Sequence, residues 1–143
     1  TAWVFSEYGN NFLKTMLRLA VSRPELSVVA DQIGTPTYAG DLAIALIEMA
    51  EKEIPSGVYH FSGGRSCSWH EFADAIFGLA EKELSSFTRP TVRPIGTSDY
   101  PTPAKRPSYS VLDDSSLRQY VAGAAGDWQA ALPLVIKLVA TQD

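Results

Sequence analysis

The sequence has little of what disulfide-bonded, membrane-spanning or nucleic-acid-binding proteins depend on. Cys67 is the single cysteine among 143 residues, which excludes an internal disulfide and a thiolate metal cluster. The longest apolar runs, residues 42–47 and 130–136, fall well short of the roughly 20 residues that cross a bilayer, and no signal-peptide pattern opens the chain. Twelve basic and 16 acidic residues give a net charge of −4 without a basic run. We therefore predict a cytoplasmic protein with neither a membrane nor a nucleic acid as its partner.

Motifs for binding phosphates and metals are also missing. The sequence contains no Gly-x-Gly-x-x-Gly and no Gly-Lys-Ser/Thr loop, so it should not by itself cradle a dinucleotide or a triphosphate. Its two histidines, His60 and His70, have no cysteine or carboxylate at a metal-ligand spacing. Asp113 and Asp114 are adjacent carboxylates, but they precede a short helical pattern and are better explained as a helix cap. We predict no metal site.

The patterns that are present are typical of an α/β domain. With 45% hydrophobic and 20% charged residues, the chain can build a real core. Apolar spacing predicts helices over residues 11–22, 115–120 and 128–140. Asp41 stands where an N-cap would precede an apolar helix over residues 42–52, and Ser68 with Glu71 forms a capping box before another helix. Short β-prone runs predict strands over residues 1–5, 26–30 and 57–62.

Residues 88–109 differ in character from the rest of the chain. Five prolines preclude a helix there and favour extended, turn-rich backbone, and a loop of this length in a compact domain is usually functional or disordered. The three predicted strands are too few for a self-sufficient doubly wound sheet, so they would suit the edge of a sheet completed by other strands. Because the chain also opens on a core strand without an initiator Met, we interpret it as a piece of a longer protein.

Several motifs together resemble a known family. They are Trp3, Ser-Glu-Tyr-Gly-Asn-Asn-Phe from Ser6, Lys-Thr-Met-Leu-Arg-Leu from Lys14, and Val-Val-Ala-Asp-Gln-Ile-Gly-Thr-Pro-Thr from Val28. A later Lys-Arg-Pro-x-x-Ser-x-Leu-Asp, from Lys105, is similar to the C-terminal motif of the same family. With these motifs the chain resembles the dTDP-4-dehydrorhamnose reductases of the extended short-chain dehydrogenase/reductase family over nearly its whole length.

The resemblance implies that residues 1–143 are the C-terminal substrate-binding domain of such a reductase. They would contribute outer strands of a Rossmann-like sheet and a small helical substrate-binding lobe. In the family, the N-terminal domain supplies the loop that binds NAD(P)H, a catalytic Thr or Ser, and a Tyr-x-x-x-Lys pair. Tyr100 and Lys105 are one residue too far apart to be that pair and lie in the proline-rich loop. We therefore expect this chain to contain no catalytic residue, to bind no cofactor alone and to be inactive alone.

The resemblance also implies where a dTDP-sugar would bind. Trp3 corresponds to a Trp that contacts the sugar, although core packing would also explain it. Asn10 and Asn11 begin a helix whose N-terminus favours a diphosphate, with simple capping as the alternative. Arg106, in a loop that the family folds over the nucleotide, is the candidate for a direct diphosphate contact, and a solvated surface arginine is its alternative.

Two further residues correspond to the site that holds the nucleotide base in related enzymes. Val28 would supply an apolar wall, and Gln32 an amide that can pair with thymine. Gly34 and Pro36 would shape the loop, whereas Thr37 could shape it or touch the ligand.

The predicted function is therefore substrate binding in an enzyme that reduces dTDP-4-dehydro-L-rhamnose to dTDP-L-rhamnose with NAD(P)H, with a homodimer as one option for its assembly. Two alternatives remain open at this point. One is a non-enzymatic relative such as the regulatory subunit of methionine adenosyltransferase, which resembles the same reductases. The other is a different nucleotide-sugar epimerase or reductase of the extended family.

Overall fold

The fold alternates short strands with longer helices. A computed structural model describes residues 1–121 and 126–141. In chain order the elements are β1 (Val4–Phe5), α1 (Phe12–Ser22), β2 (Glu25–Val29), β3 (Ile33–Gly34), β4 (Thr37–Tyr38), α2 (Ala39–Glu51), β5 (Cys67–Ser68), α3 (Trp69–Glu83), β6 (Thr91–Ile95), α4 (Ser115–Arg118) and α5 (Trp128–Ala140). A single 3-10 turn, Thr97–Asp99, follows β6. The predicted α/β class is confirmed.

The strands form three separate pairs rather than one sheet within the described residues. β1 runs parallel to β4, β2 runs parallel to β6, and β3 is antiparallel to β5. The β2–β6 pair is the longest, with its register running from Glu25 opposite Thr91 to Val29 opposite Ile95. Pro94 lies within β6, which is compatible with a strand when the proline nitrogen faces away from the partner strand. The extended backbone predicted for the proline-rich segment is therefore present, as a strand that the sequence analysis did not identify.

Helix α3 lies at the centre of the main core. Phe72, Ala73, Ile76 and Phe77 on this helix are completely buried, and they pack together with buried residues of α1, β2 and α5. The capping box predicted at its start is confirmed, because the Ser68 hydroxyl accepts the Glu71 N–H while the Glu71 carboxylate accepts the Ser68 N–H. This reciprocal cap fixes the first turn of α3 on β5.

Two local predictions are wrong. Helix α2 begins at Ala39 after Tyr38, so Asp41 lies in its first turn and is not the N-cap. An acidic residue in a first turn still interacts favourably with the helix dipole, which explains the similar sequence signal. Residues 57–62 are not a strand, although Phe61 and Ser62 are buried. A β-prone segment forms a strand only beside a partner, and no other part of the described chain pairs with it.

Helix α2 exposes an apolar surface that no described residue covers. Ile44, Leu46 and Ile47 of α2 are 56%, 55% and 59% exposed. Only the opposite side of α2 packs inward, through Ala45, which joins Phe61 in a second small core. We call Ile44, Leu46 and Ile47 the α2 surface. None of the described helices is both long and apolar enough to cross a membrane.

Candidate functional site

Trp3 immediately precedes β1 and has an unusual backbone conformation. Its backbone φ is 51°, in the left-handed region that bulky residues rarely adopt. Its indole stacks on that of Trp69, with ring centroids 3.5 Å apart and an angle of 10° between the planes. A left-handed backbone costs a non-glycine residue roughly 1–3 kcal/mol, and an aromatic pair contributes about 0.5–1.5 kcal/mol beyond its buried area. The contact with Trp69 is thus one of the interactions that keep Trp3 in this conformation.

Strand β3 connects Trp3 to the proline-rich segment. The Trp3 ring lies directly against Gly34, while the neighbouring Ile33 accepts hydrogen bonds from the Ser110 N–H at 2.8 Å and from its hydroxyl at 3.2 Å. The Ile33 N–H in turn donates to the Ser108 carbonyl at 2.8 Å. These bonds attach the end of the proline-rich segment beside the strand that carries Gly34. Arg106 lies two residues before this attachment point, on an exposed stretch, so its guanidinium is available to a ligand.

Gln32 is held by the turn that follows β6. Its side-chain amide donates to the Thr97 hydroxyl at 3.1 Å, and that hydroxyl donates to the Asp31 carboxylate at 2.6 Å. The Thr97 N–H also donates to both oxygens of Asp31. The bonds from the hydroxyl and then the N–H of Thr97 lower the pKa of Asp31, which stays ionised. This network fixes the loop between β2 and β3, and it leaves the Gln32 amide oxygen as an acceptor for a base.

Asn11 is the N-cap of α1. Its side-chain oxygen accepts the Lys14 N–H at 3.1 Å, and its amide nitrogen donates to the Ser6 carbonyl at 2.7 Å. These bonds commit the Asn11 side chain to capping, which was the alternative to a diphosphate contact. Asn10, next to it, is exposed. Asn10 and the first N–H groups of α1 are therefore the groups at this helix that are still predicted to contact a diphosphate.

Val28 lies in the middle of β2 and is only 7% exposed. Its side chain belongs to the main core. Little of the Val28 side chain is therefore exposed to serve as the predicted apolar wall. The assignment of Val28 to a base-binding site stays a prediction.

A buried carboxylate joins β1 to β4 next to Trp3. Glu7 is 8% exposed, and it accepts hydrogen bonds from the Ser6 hydroxyl at 3.1 Å and the Tyr38 hydroxyl at 3.5 Å. Burial, and then the charge of Glu7, raises the pKa of Tyr38, so the phenol remains protonated and able to donate. Lys14 donates to the Glu7 carbonyl at 3.0 Å and ties α1 to the same turn. These contacts hold in place the backbone that carries Trp3.

The motifs did not identify two residues of this region. Trp69 and Thr97 lie far along the chain from the residues that they contact, and neither belongs to a pattern that signals a ligand. For metals, the described residues contain no cluster of three or more His, Cys, Asp or Glu side chains. Asp113 accepts the Ser115 N–H at 2.9 Å at the start of α4, which lowers its pKa. Asp114 is the N-cap residue of α4, but its carboxylate makes no cap bond and pairs with Arg118.

The α/β fold, with short parallel strand pairs and longer helices, is of the class found in extended short-chain dehydrogenase/reductases. The sequence comparison identifies the family. Residues 1–141 match the family model described as RmlD substrate binding domain, and the chain belongs to that family.

Curated relatives agree with this assignment. The chain is 52% identical over 139 residues to a dTDP-4-dehydrorhamnose reductase of Aggregatibacter actinomycetemcomitans, with 92% of this chain and 47% of that protein covered. It is 41% identical over 152 residues to the same enzyme of Burkholderia thailandensis, with 99% of this chain and 51% of the relative covered. The chain thus spans about half the length of the curated relatives it matches. These relatives support the predicted reductase over the two alternatives.

Solved structures extend the agreement to three dimensions. A dTDP-4-dehydrorhamnose reductase ortholog of Clostridium acetobutylicum superimposes with a TM-score of 0.86 at 36% identity, covering 97% of this chain and 47% of the other. The Bacillus anthracis enzyme, solved in complex with NADP, gives a TM-score of 0.80 at 39% identity, covering 94% of this chain and 45% of the other. The expected similarity to extended short-chain dehydrogenase/reductases is confirmed.

Proposed function

We propose that this chain is the sugar-nucleotide-binding half of a cytoplasmic enzyme that reduces dTDP-4-dehydro-L-rhamnose to dTDP-L-rhamnose with NAD(P)H. The observation that carries the proposal is the family match over residues 1–141, joined to the grouping of Trp3, Gln32 and Arg106 around β3. Each of these three side chains has the chemistry that one part of the substrate needs. An indole packs on a deoxy sugar, a guanidinium forms bidentate hydrogen bonds with a diphosphate, and an amide pairs with thymine.

The contribution of this chain to the reaction would be positioning. A sugar held against Trp3 with its diphosphate fixed by Arg106 loses translational and rotational freedom before the reaction begins. The chain would present the sugar carbonyl to a hydride donor and a proton donor located elsewhere in the enzyme. Substrate binding energy would in this way be used to orient the reacting group.

The β1–α1 turn does not have the composition of a dinucleotide-binding loop. The turn between β1 and α1 contains one glycine, Gly9, where a dinucleotide loop needs several for close approach of the backbone. The cap position at the start of α1 is filled by the side chain of Asn11 rather than by a glycine. Binding of NAD(P)H and the acid–base chemistry are therefore assigned to another part of the enzyme.

The α2 surface is the proposed contact with that other part. Its three large apolar side chains are exposed on one helix, and contiguous apolar exposure of this kind usually marks an interface. Residues 57–62, β-prone but unpaired, follow the same helix. Because the curated relatives are about twice as long as the match, we assign the cofactor-binding half as the occupant, with a second copy of the chain as the competing outcome.

An experiment with the complete enzyme and with this chain alone tests the proposed function. The complete enzyme should oxidise NADPH or NADH when given dTDP-4-dehydrorhamnose, and dTDP-rhamnose should protect it against heat. This chain alone should show no turnover and, in calorimetry, no more than weak heat with dTDP-rhamnose. Absence of turnover with the complete enzyme would contradict the proposed reaction. A micromolar dissociation constant for the chain alone would contradict the need for both halves.

A further inference from the structure

Trp69 is an aromatic residue whose position the family motifs do not explain. It is the first residue of α3, directly after the reciprocal Ser68 cap, so its backbone is fixed by the start of that helix. One of its neighbours is Phe12, with ring centroids 4.6 Å apart, and the other is Trp3, stacked at 3.5 Å. Trp69 therefore has a rigid base and holds the indole of Trp3 against it.

The Trp3 backbone is anchored by one hydrogen bond, from the Thr37 N–H to the Trp3 carbonyl at 3.1 Å. Trp3 immediately precedes β1, a strand of two residues, and its backbone has a φ of 51° that the residue would avoid if left free. Without a ring to stack on, the backbone would relax toward a common conformation and the indole would move away from its present plane. The plane of the Trp3 ring is thus set by its contacts with Trp69 on α3 and with Gly34 on β3, both distant in sequence from its own strand.

We propose that Trp69 is a positioning residue for the sugar: it fixes the plane of the Trp3 indole against which the sugar packs. This inference rests on the proposed function, in which Trp3 contacts the sugar of the substrate. Trp69 acts through Trp3 and needs no contact with substrate itself. Its replacement should affect how well the sugar is held, with little effect on cofactor affinity.

The test compares two replacements of Trp69 in the complete enzyme. Trp69→Phe keeps a flat ring for stacking, whereas Trp69→Leu keeps apolar volume without one. We expect Trp69→Leu to raise KM for the sugar nucleotide by about 5-fold or more, since a misplacement of 1 Å can cost about 100-fold. Trp69→Phe should stay close to the unaltered enzyme, and KM for NAD(P)H should not change in either. The proposal would be overturned if the two variants had equal KM values for the sugar nucleotide. It would also be overturned if a variant lost affinity for the sugar nucleotide and for NAD(P)H to the same extent. Trp69→Met replaces Trp69→Leu if the latter does not fold.

Circular dichroism gives a direct signature of the stack. The chain contains three tryptophans, and any pair of far-ultraviolet bands of opposite sign that arises from coupled indoles should depend on both Trp3 and Trp69, the stacked pair. Trp3→Phe and Trp69→Phe should each abolish the pair. Trp128→Phe is the control, because Trp128 is buried against Phe72 and should leave the bands unchanged. Bands that survive in Trp69→Phe would overturn the stacking on which the proposal depends.

The proposed function can fail separately from this inference. Trp3→Leu should raise KM for the sugar nucleotide at least as much as Trp69→Leu. If Trp3→Leu leaves that KM unchanged, the sugar contact assigned to Trp3 is wrong and the role of Trp69 falls with it. If Trp3→Leu raises KM and Trp69→Leu does not, only the positioning role of Trp69 is wrong.

Discussion

Trp3 and Gly34 are matched in shape, because the Trp3 indole occupies the place where a side chain at residue 34 would stand. A Cβ atom built on Gly34 would lie 2.6 Å from both Cζ2 and Nε1 of Trp3, closer than real Cβ contacts come. The Trp3 ring cannot easily yield, since it is stacked on Trp69. The absence of a side chain at residue 34 is therefore what allows the Trp3 ring its position.

Gly34→Ala should destabilise the protein by about 1–3 kcal/mol through overpacking, and it should displace the Trp3 ring. Thermal unfolding measures the first effect, and the far-ultraviolet bands of the stacked indoles measure the second. Gly57→Ala is the matched control, because a Cβ there would approach Tyr59 no closer than 3.5 Å, an ordinary contact. Similar melting temperatures for the two variants would show that the contact between Trp3 and Gly34 is not tight.

How far the sequence predicts this structure depends on the length of each element. The long helices show enough apolar repeats to be recognised, and the Ser68 capping box marks the start of α3. Strands β3, β4 and β5 have two residues each, too few to show any alternation. Residues 57–62 have the composition of a strand but lack a neighbour to pair with, and composition does not report that.

In the candidate site, too, some features could be predicted from the sequence and others could not. The family motifs predicted Trp3, Gln32 and Arg106 as ligand contacts. Their supporting contacts, such as Asp31 with Thr97, join residues 66 positions apart, which no local pattern can reveal. Asn11 illustrates a third case, in which the residue type suits both a cap and a phosphate contact, and only the geometry shows that its side chain is used for capping.

Cys67 should be unreactive in the folded protein. Burial, with a smaller contribution from Glu71, raises the pKa of its thiol to about 12. Only the thiolate reacts with alkylating reagents, so iodoacetamide at pH 8 should label the native chain far more slowly than the chain in denaturant. Rapid labelling of the native chain would contradict the buried position.

The same thiol should make stability depend on pH. In the unfolded chain a cysteine ionises near 8.5, below its pKa in the fold, so the folded state holds its proton more tightly. The stabilisation is fully present below pH of about 8.5 and is lost as pH rises toward 12. Urea titrations between pH 7 and 10 should show this decline, and Cys67→Ala should reduce it. An identical decline in Cys67→Ala would assign the effect to other groups.

Thr97→Val should raise the pKa of Asp31 toward its ordinary value. The substitution removes the hydroxyl that donates to Asp31, which is the largest cause of the lowered pKa, and it retains the backbone N–H. NMR titration of the Asp31 carboxyl measures the change. Asp113 is the internal control, because its pKa is lowered by Ser115 and should not move. An unchanged Asp31 titration would show that the hydroxyl bond contributes little in solution.

Ile47→Asp tests the α2 surface. If the cofactor-binding half covers this surface, an aspartate there is buried without a partner, and the complete enzyme should lose roughly 2 kcal/mol or more of stability. Val21→Asp is the control, because Val21 is 88% exposed on α1 and outside the α2 surface. Stability within about 0.5 kcal/mol of the unaltered enzyme would mean that the surface is open there. A loss of stability that accompanies dissociation of a dimer would assign the surface to a second copy.

Arg106→Ala tests the diphosphate contact. A charge-assisted hydrogen bond contributes about 1.5–3 kcal/mol, so loss of the guanidinium should raise KM for the sugar nucleotide by roughly 10-fold or more. Affinity for NAD(P)H should change much less, because the described residues place no dinucleotide loop near Arg106. Arg93→Ala is the control, since Arg93 is also exposed but is paired with Glu25 at 2.6 Å on the β2–β6 pair. Steady-state kinetics with each substrate varied in turn separates the two affinities. An equal effect on the affinities for both substrates would count against a diphosphate role. If Arg93→Ala raised KM for the sugar nucleotide as much as Arg106→Ala, the effect would come from the general surface charge and not from a specific contact.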